Sequence, residues 1–252
     1  TSPDGTDDGL ASDRIDWLAG DEDANEAFRS RSGSDHPRLL GDIVNSNPQI
    51  ERKIDFGHSR LSDGDYESYR AGNAYQNRPN VLYTGANDGF LHAFDASTGE
   101  ELFAYMPSSL LEPRENGSAR ITDLMEPDYG HKFFVDGTTT IADAFINGQW
   151  RTILVGAMGV GGKTVFALDI TNPSDFNEDD VLWEFEDDAL GRGVDSPQVG
   201  RLPNGDWAAV FGNGVDSDNG KLFVVNMEDG SLIRTLDAGG GGLSTPVLTS
   251  DD

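Results

Sequence analysis

Acidic segments at three places in the chain carry oxygen ligands at spacings that suit a hard cation such as calcium. Residues 175–180 and Glu186 place oxygen side chains at positions 1, 3, 5 and 12 of an EF-hand loop. Position 6, where the sharp turn of such a loop needs glycine, is an aspartate, so we predict an acidic hairpin loop there. Residues 216–220 are a weaker candidate of the same kind, and Asp251 and Asp252 are compatible with the start of a D-x-D-x-D-G loop.

A glycine-rich segment at 156–164 looks at first like a phosphate-binding loop. In that motif the first glycine lies five positions before the glycine that precedes lysine, whereas Gly156 lies six positions before Gly162. The β-branched and aromatic residues that follow, at 165–169, indicate a strand and not the helix whose N-terminus would hold phosphate. We therefore predict a β-hairpin at this segment and no nucleotide site.

Nothing else in the sequence has the pattern of a catalytic centre. The four histidines have no metal-binding spacing with one another; they are His36, His58, His92 and His131. No nucleophile elbow is present. The chain has no cysteine, which excludes disulfides, zinc fingers and thiol catalysis. We therefore expect a protein that is not an enzyme.

Residues 93–103, AFDASTGEELF, are similar to the blade-docking repeat A-x-D-x-x-T-G-x-x-x-W of pyrroloquinoline-quinone dehydrogenases, with Phe103 in place of tryptophan. The role of that repeat is structural. Asp95 and Thr98 are expected to satisfy turn amides, Gly99 to take a positive φ, and the aromatic ring to pack on the next blade. The motif thus predicts a propeller architecture and not a reaction.

Internal repeats predict the elements around these motifs. Asn147-Gly148-Gln149-Trp150 recurs 57 residues later as Asn204-Gly205-Asp206-Trp207, and both Asn-Gly pairs suit a type I′ hairpin turn. Each repeat consists of four short strands. The predicted strands are 48–53, 81–84, 90–94 and 101–105, then 139–146, 150–156, 164–170 and 181–185, then 197–202, 207–212, 222–227 and 231–236, with a further copy beginning at 244–247.

Four-stranded units that repeat every ~50–75 residues are typical of a β-propeller, which closes with roughly 4–8 blades. We predict an all-β fold with about three blades and the start of a fourth, an incomplete ring. The predicted division is an acidic linker with a partial helix at 1–38, then a propeller portion at 39–252, with blades at 39–106, 135–187 and 193–238 and the next blade starting at 243–252. Insertions at 54–79 and 107–134 interrupt the blades, and long insertions on a rigid scaffold commonly carry binding functions.

The composition excludes some partners. The chain has 45 acidic residues against 18 basic ones, a formal net charge of −27, which disfavours nucleic acids and anionic membrane surfaces. An excess of acidic residues favours binding of cations and tolerance of salt. A solvated acidic surface accounts for most of this excess. No apolar run approaches the ~18 residues of a membrane span, so we expect no membrane insertion.

Five strings, in the same order along the chain, resemble the PilY/PilC family of proteins associated with the type IV pilus tip. They are LGDIVNSNP at 40–48, YTGANDGFLHAFD at 83–95, HKFFVDG at 131–137, WRTILVG at 150–156 and GKTVFALDIT at 162–171. Strings of this length are specific, and the resemblance extends over roughly residues 28–250.

The resemblance implies a C-terminal propeller domain that is exported through the periplasm and sits extracellularly at the pilus tip. There it implies minor pilins as partners, a role in pilus assembly, and adhesion to host or abiotic surfaces. In the family a calcium loop in this propeller is linked to opposing pilus retraction. By that resemblance the loop would begin at Asp251 and Asp252, with calcium as the cofactor.

Two functions of other classes stay open at this point. A quinone-type dehydrogenase propeller predicts cofactor absorbance and turnover of alcohols. A generic extracellular propeller that binds polysaccharide predicts carbohydrate affinity at Tyr66, Tyr69 and Tyr75 of the insertion at 54–79.

Overall fold

Three four-stranded antiparallel sheets form the body of the chain, in a computed structural model that describes residues 8–21, 23–31, 39–115 and 117–249. In each sheet the strands are neighbours in chain order, so each sheet is a simple meander. Blade one has strands β1 (Gln49–Glu51), β2 (Val81–Gly85), β3 (Leu91–Asp95) and β4 (Glu101–Tyr105); blade two has β5 (Thr140–Ile146), β6 (Gln149–Ala157), β7 (Val165–Asp169) and β8 (Val181–Phe185); blade three has β9 (Gln198–Arg201), β10 (Trp207–Gly212), β11 (Lys221–Asn226) and β12 (Leu232–Asp237). The predicted all-β fold with an incomplete ring is confirmed.

Short helices fill the connections between the strands. The α-helices are α1 (Ala11–Leu18), α2 (Tyr66–Ala71) and α3 (Asn73–Asn77), and 3-10 turns lie at His58–Arg60, Ser108–Leu110, Arg120–Met125, Pro173–Asp175 and Glu178–Asp180. Across the described parts of the chain, none of these helices is long and apolar enough to cross a membrane.

The two Asn-Gly hairpins differ in turn type. At the β5–β6 hairpin Asn147 and Gly148 have φ of 51° and 76°, as a type I′ turn requires. At the β9–β10 hairpin only Gly205 has a positive φ, 101°, and its N–H donates to Leu202 O at 2.9 Å. The prediction of a type I′ turn there is wrong, because Pro203 holds its own φ negative and favours a type I turn followed by glycine.

Blade two is buried on both sides because its middle strands alternate between two cores. One core, shared with blade one, contains Leu154 and Phe166, and the other core, shared with blade three, contains Ile153 and Val155. Both faces of β6 and β7 are therefore apolar, which explains their nearly continuous hydrophobic sequence. The innermost strands β1, β5 and β9 lie side by side, as they do around the channel of a propeller.

The segment before the first blade packs on the insertion at 107–134. Trp17 on α1 is 1% exposed and belongs to the same core as Leu124 and Met125. Arg29 ties the two segments together, because its backbone N–H donates to Met125 O at 2.8 Å and its Nε to Leu124 O at 2.8 Å. This part of the predicted acidic linker therefore contributes to the core.

Candidate functional site

The blade-docking motif has the structural role that its sequence predicts. Asp95 Oδ1 accepts hydrogen bonds from the backbone N–H of Ser97 at 2.7 Å and of Thr98 at 3.1 Å, and Gly99 has φ of 76°. These bonds, those from Ser97 first, lower the pKa of Asp95. The Phe103 ring stacks on Phe176 of the blade-two segment, with ring centroids 3.8 Å apart. The predicted inter-blade packing is confirmed.

Blade two docks on blade three with a residue that the sequence reading did not identify. Trp183 donates its Nε1–H to Met227 O at 3.0 Å and lies over Gly230, where a Cβ would come within 2.7 Å of the tryptophan. Trp183 pairs with Ala167 as Phe103 pairs with Ala93, so the two aromatic residues hold the same register position. Aligning the fourth strands of the two blades, 101–105 and 181–185, identifies Trp183 as the counterpart of Phe103.

The insertion at 54–79, which we name the strap, lies over the hairpin ends of blades two and three. The His58 ring stacks on Trp150 with centroids 5.3 Å apart and meets Trp207 edge-on at 4.9 Å. Trp150 and Trp207 are 6% and 4% exposed, so both tryptophans of the repeated hairpin are buried. Burial lowers the pKa of His58, although a hydrogen bond to the Asp143 backbone opposes this effect.

Beneath the strap lies a network of buried polar side chains on blade two. Asp143, which is fully buried, accepts a hydrogen bond from Tyr66 OH at 2.7 Å and another from Thr152 Oγ1 at 2.6 Å. Arg78 donates to Thr152 Oγ1 at 2.7 Å and to Glu51 Oε1 at 2.8 Å. Burial raises the pKa of Asp143 and, with that carboxylate nearby, the pKa of Tyr66. The carboxylates and hydroxyls of this network are thus paired with one another, whereas Arg78 Nε is buried without a hydrogen-bond partner among the described residues.

The tyrosines of the strap face inward. Tyr66 is 1% exposed and Tyr75 is 2% exposed, and Tyr69 packs against the same core. Burial raises the pKa of Tyr69 to about 12. A sugar platform needs an accessible ring face, so Tyr66 and Tyr75 do not form the polysaccharide site that the carbohydrate alternative required.

The outer face of blade one borders a cleft of about 820 Å³, which is also lined by residues of the segment 15–42 and which we name the blade-one cleft. Buried in its wall, His92 places Nδ1 2.5 Å from Glu101 Oε1 and Nε2 3.1 Å from Asp88 Oδ2. Burial by itself would lower the pKa of His92, but the hydrogen bonds and charges of the two carboxylates outweigh burial and raise it. Both ring nitrogens donate in this arrangement, so the geometry fits an imidazolium.

The repeat shows what kind of surface the blade-one cleft is. His92 stands three residues before the turn-capping Asp95, as Phe166 and Phe223 stand before the matching residues of blades two and three. There the phenylalanines contact the preceding blade: Tyr105 lies 5.0 Å from Phe166, and Phe185 lies 5.5 Å from Phe223, between ring centroids. The cleft is therefore the blade-one copy of a blade-docking face.

Three of the strings that resemble the PilY/PilC family meet beside this cleft. Gly41 N donates to Asp88 Oδ2 at 2.6 Å, and a Cβ on Gly41 would lie 2.3 Å from the Asp88 backbone nitrogen. Asn45 N donates to Asp136 Oδ1 at 3.0 Å, and Phe134 N donates to Asn87 Oδ1 at 2.9 Å. These residues serve to join the blade-one and blade-two ends.

The glycine-rich segment at 156–164 is the hairpin between β6 and β7, which pair antiparallel from Ile153 and Asp169 onward. The predicted hairpin is confirmed. Gly161 packs so closely under the preceding segment that a Cβ there would lie 1.8 Å from Phe134 O. The loop backbone is thus held by protein and does not surround a phosphate-sized space.

In the two candidate cation loops that the structure describes, the carboxylates accept hydrogen bonds from protein N–H groups. In the loop at 175–180, Asp180 Oδ2 accepts from Asn177 N at 2.9 Å and from its Nδ2 at 3.1 Å. Asp216 of the second candidate loop accepts from the Arg192 backbone N–H. Within residues 8–21, 23–31, 39–115 and 117–249, no group of three or more His, Asp or Glu side chains could hold a metal ion. Asp251 and Asp252 lie outside the described residues.

Consecutive meander sheets with capped turns and aromatic docking between neighbours define a β-propeller-type protein. The family model of the PilY1 beta-propeller domain matches residues 40–252. The chain belongs to this family, and the PilY/PilC resemblance is confirmed.

Curated relatives and one solved structure agree with the family. The chain is 42% identical over 245 residues to a type IV pilus biogenesis factor PilY1 homolog of Xylella fastidiosa, covering 90% of this chain and 16% of that protein. It is 36% identical over 253 residues to the type IV pilus biogenesis factor PilY1 of Pseudomonas aeruginosa UCBPP-PA14, covering 95% and 21% respectively. The crystal structure of the Pseudomonas aeruginosa PilY1 C-terminal domain superposes with a TM-score of 0.63 at 36% identity, covering 77% of this chain and 38% of that one. The chain thus spans about a fifth or less of the length of these curated relatives.

Proposed function

We propose that this chain is a propeller portion of a type IV pilus biogenesis factor and that it acts as a non-enzymatic scaffold. The observation that carries the proposal is the similarity to PilY1 proteins of that name along 90% and 95% of the chain. The site geometry supports the proposal. Asp95 caps a turn within blade one, and Phe103 and Trp183 each pack on the next blade, so these motif residues have structural roles. The fold alone would not decide between scaffold and enzyme.

The scaffold acts by holding loops at fixed separations on a rigid arc of blades. Further blades would pack beyond the outer faces of blades one and three. Two observations support further blades. First, His92 occupies a blade-docking position on blade one. Second, Leu236 of blade three holds the strand position that Tyr105 holds in blade one, and it is 39% exposed. Tyr105 itself is 7% exposed because blade two covers it.

For partners, we propose minor pilins at the pilus tip and a host or abiotic surface, with the protein extracellular after export through the periplasm. The names of the relatives support an association with the pilus machinery. The net charge of −27 favours a basic face on the pilin that docks here. Calcium stays a proposal as well, with a loop that begins at Asp251 and Asp252 and is linked to control of retraction.

Pilus display in the source organism tests the scaffold proposal. We expect that deletion of the gene abolishes or strongly reduces surface pili counted by electron microscopy, and that the wild-type gene restores them. Purified protein assayed with alcohols and an electron acceptor serves as the second arm. Normal piliation in the deletion strain would refute the proposal, and quinone absorbance with alcohol turnover would replace it with the dehydrogenase alternative.

A further inference from the structure

The strap begins and ends in blade one, between β1 and β2, yet its side chains reach both other blades. Asp63 pairs with Arg201 on β9 of blade three: Arg201 Nη2 donates to Oδ1 at 2.6 Å, and Nε donates to Oδ2. Trp207 Nε1 on β10 donates to the same Oδ2 at 3.3 Å. The bond from Arg201 is the largest cause of the lowered pKa of Asp63, which keeps this carboxylate ionised.

A second group of contacts ties the strap to blade two. Tyr66 reaches Asp143, and its ring lies 4.6 Å from the Trp150 ring between centroids. Gly64 fits against the Phe145 ring, where a Cβ would lie 2.6 Å from Phe145 Cε2. Tyr66, Asp143 and Trp150 are buried at 1%, 0% and 6% exposure, so the Tyr66 contacts are shielded from water, whereas Gly64 lies at the surface.

The far end of the strap returns to blade one through a buried ion pair. Arg78 and Glu51 are 2% and 5% exposed at their side chains, and Arg78 Nη2 donates to Glu51 Oε1 at 2.8 Å. The Arg78 guanidinium also lies over the Tyr75 ring, 4.0 Å from its centroid. A buried pair of this kind is costly to break on one side only, which makes it a firm anchor.

Blades one and three pack on opposite faces of blade two, so without the strap each seam could open independently. We propose that the strap is a coupling element that links all three blades, so that blade three opens only together with the strap. Asp63 and Arg201 form the link to blade three, and Arg78 with Glu51 forms the anchor on blade one. This inference does not depend on a role in the pilus.

Hydrogen exchange of the 252-residue chain, followed by mass spectrometry, tests the coupling, with Asp63→Asn as the variant. We expect exchange of the β9 and β10 amides to accelerate about tenfold or more, because a charge-assisted hydrogen bond to blade three is lost. The β2 and β3 amides of blade one should keep their protection. The matched control is Asp55→Asn, which removes an exposed pair with Arg70, 2.9 Å apart, that lies wholly within the strap.

Each outcome decides the proposal. Selective acceleration in blade three with Asp63→Asn, absent with Asp55→Asn, supports it. Acceleration confined to the strap, or equal to that of the control, overturns it. If Asp63→Asn fails to fold, the double variant Asp63→Arg with Arg201→Asp, which exchanges the two charges, is measured in its place. Wild-type protection of the blade-three amides in this double variant supports coupling through the contact, and loss of that protection overturns it.

Discussion

Replacing His92 with phenylalanine gives blade one the side chain that blades two and three carry at the equivalent position. We expect His92→Phe to destabilise the chain at low pH and to cost progressively less as the pH rises. The folded pKa of His92 is raised above the ordinary value of 6.5. The stabilisation by protonated His92 is therefore fully present below the pKa of unfolded histidine and is lost as the pH rises through the folded pKa.

The two carboxylates set the magnitude of this effect. The Asp88 side chain is 13% exposed, so its bond to the imidazolium should contribute about 1.5–3 kcal/mol. Glu101 is 45% exposed, and solvent screening reduces its contribution to less than about 1 kcal/mol. The phenylalanine ring regains part of this by apolar contact with Phe90 and Phe94, whose ring centroids lie 5.9 and 5.6 Å from that of His92, so we expect a net loss of about 2 kcal/mol near pH 5.5.

Urea unfolding followed by tryptophan fluorescence at about pH 5.5, 7 and 8.5 measures the effect. The difference between wild type and variant isolates His92, because His58, whose pKa is lowered by burial and whose pH dependence is opposite, is present in both. His131→Phe is the matched control, since its 2.8 Å pair with Asp42 is about half exposed on both sides. A His92→Phe cost that is constant or grows with pH would refute the charged-imidazole interpretation.

Three further predictions follow from the seams and the candidate loops. Trp150→Ala and Trp207→Ala should each cost about 3–5 kcal/mol, measured by urea unfolding, and unchanged stability in both would contradict the blade packing. Gly230→Ala should cost about 1–3 kcal/mol, because Gly230 has a φ of 72° and an added Cβ would lie 2.7 Å from Trp183 Cβ. Gly148→Ala is the control in the same assay: Gly148 has a φ of 76° but open space around it, so this variant reports the φ strain without the clash. Calorimetric calcium titration should detect micromolar binding only when the loop begun by residues 251–252 is complete, and tight binding by the 252-residue chain would move the site to 175–180 or 216–220.

The hairpins and their order could be predicted from the sequence because they rest on local chemistry. Asn147-Gly148 takes the positive φ values of a type I′ turn, and residues 165–169 are β-branched and aromatic. The turn at Asn204-Gly205 shows the limit of the same rule, since Pro203 changes the turn type while the hairpin remains. Local rules therefore predict where a strand ends better than they predict how it turns.

Contacts across the repeat could not be read from spacing. Glu101 meets His92 because of a bulge in the β3–β4 pairing, where Ala93 pairs with Phe103 but Phe94 pairs with Glu101. Asp63 meets Arg201 across 138 residues, and no periodic pattern relates them. The carbohydrate alternative needs accessible tyrosine rings in the strap, whereas the strap folds back on the blades and buries Tyr66 and Tyr75.

The motifs by which the chain is recognised as a propeller of this family are the ones that hold it together. Asp95 caps a turn, Gly41 fits against the Asp88 backbone, and Asn45 bonds to Asp136 between two blade ends. Groups paired in this way are satisfied, so they have little capacity left for a ligand. If the proposed function holds, specificity for the proposed pilin or surface partner comes from exposed side chains outside those motifs, and variants there should change binding while leaving the unfolding transition in place.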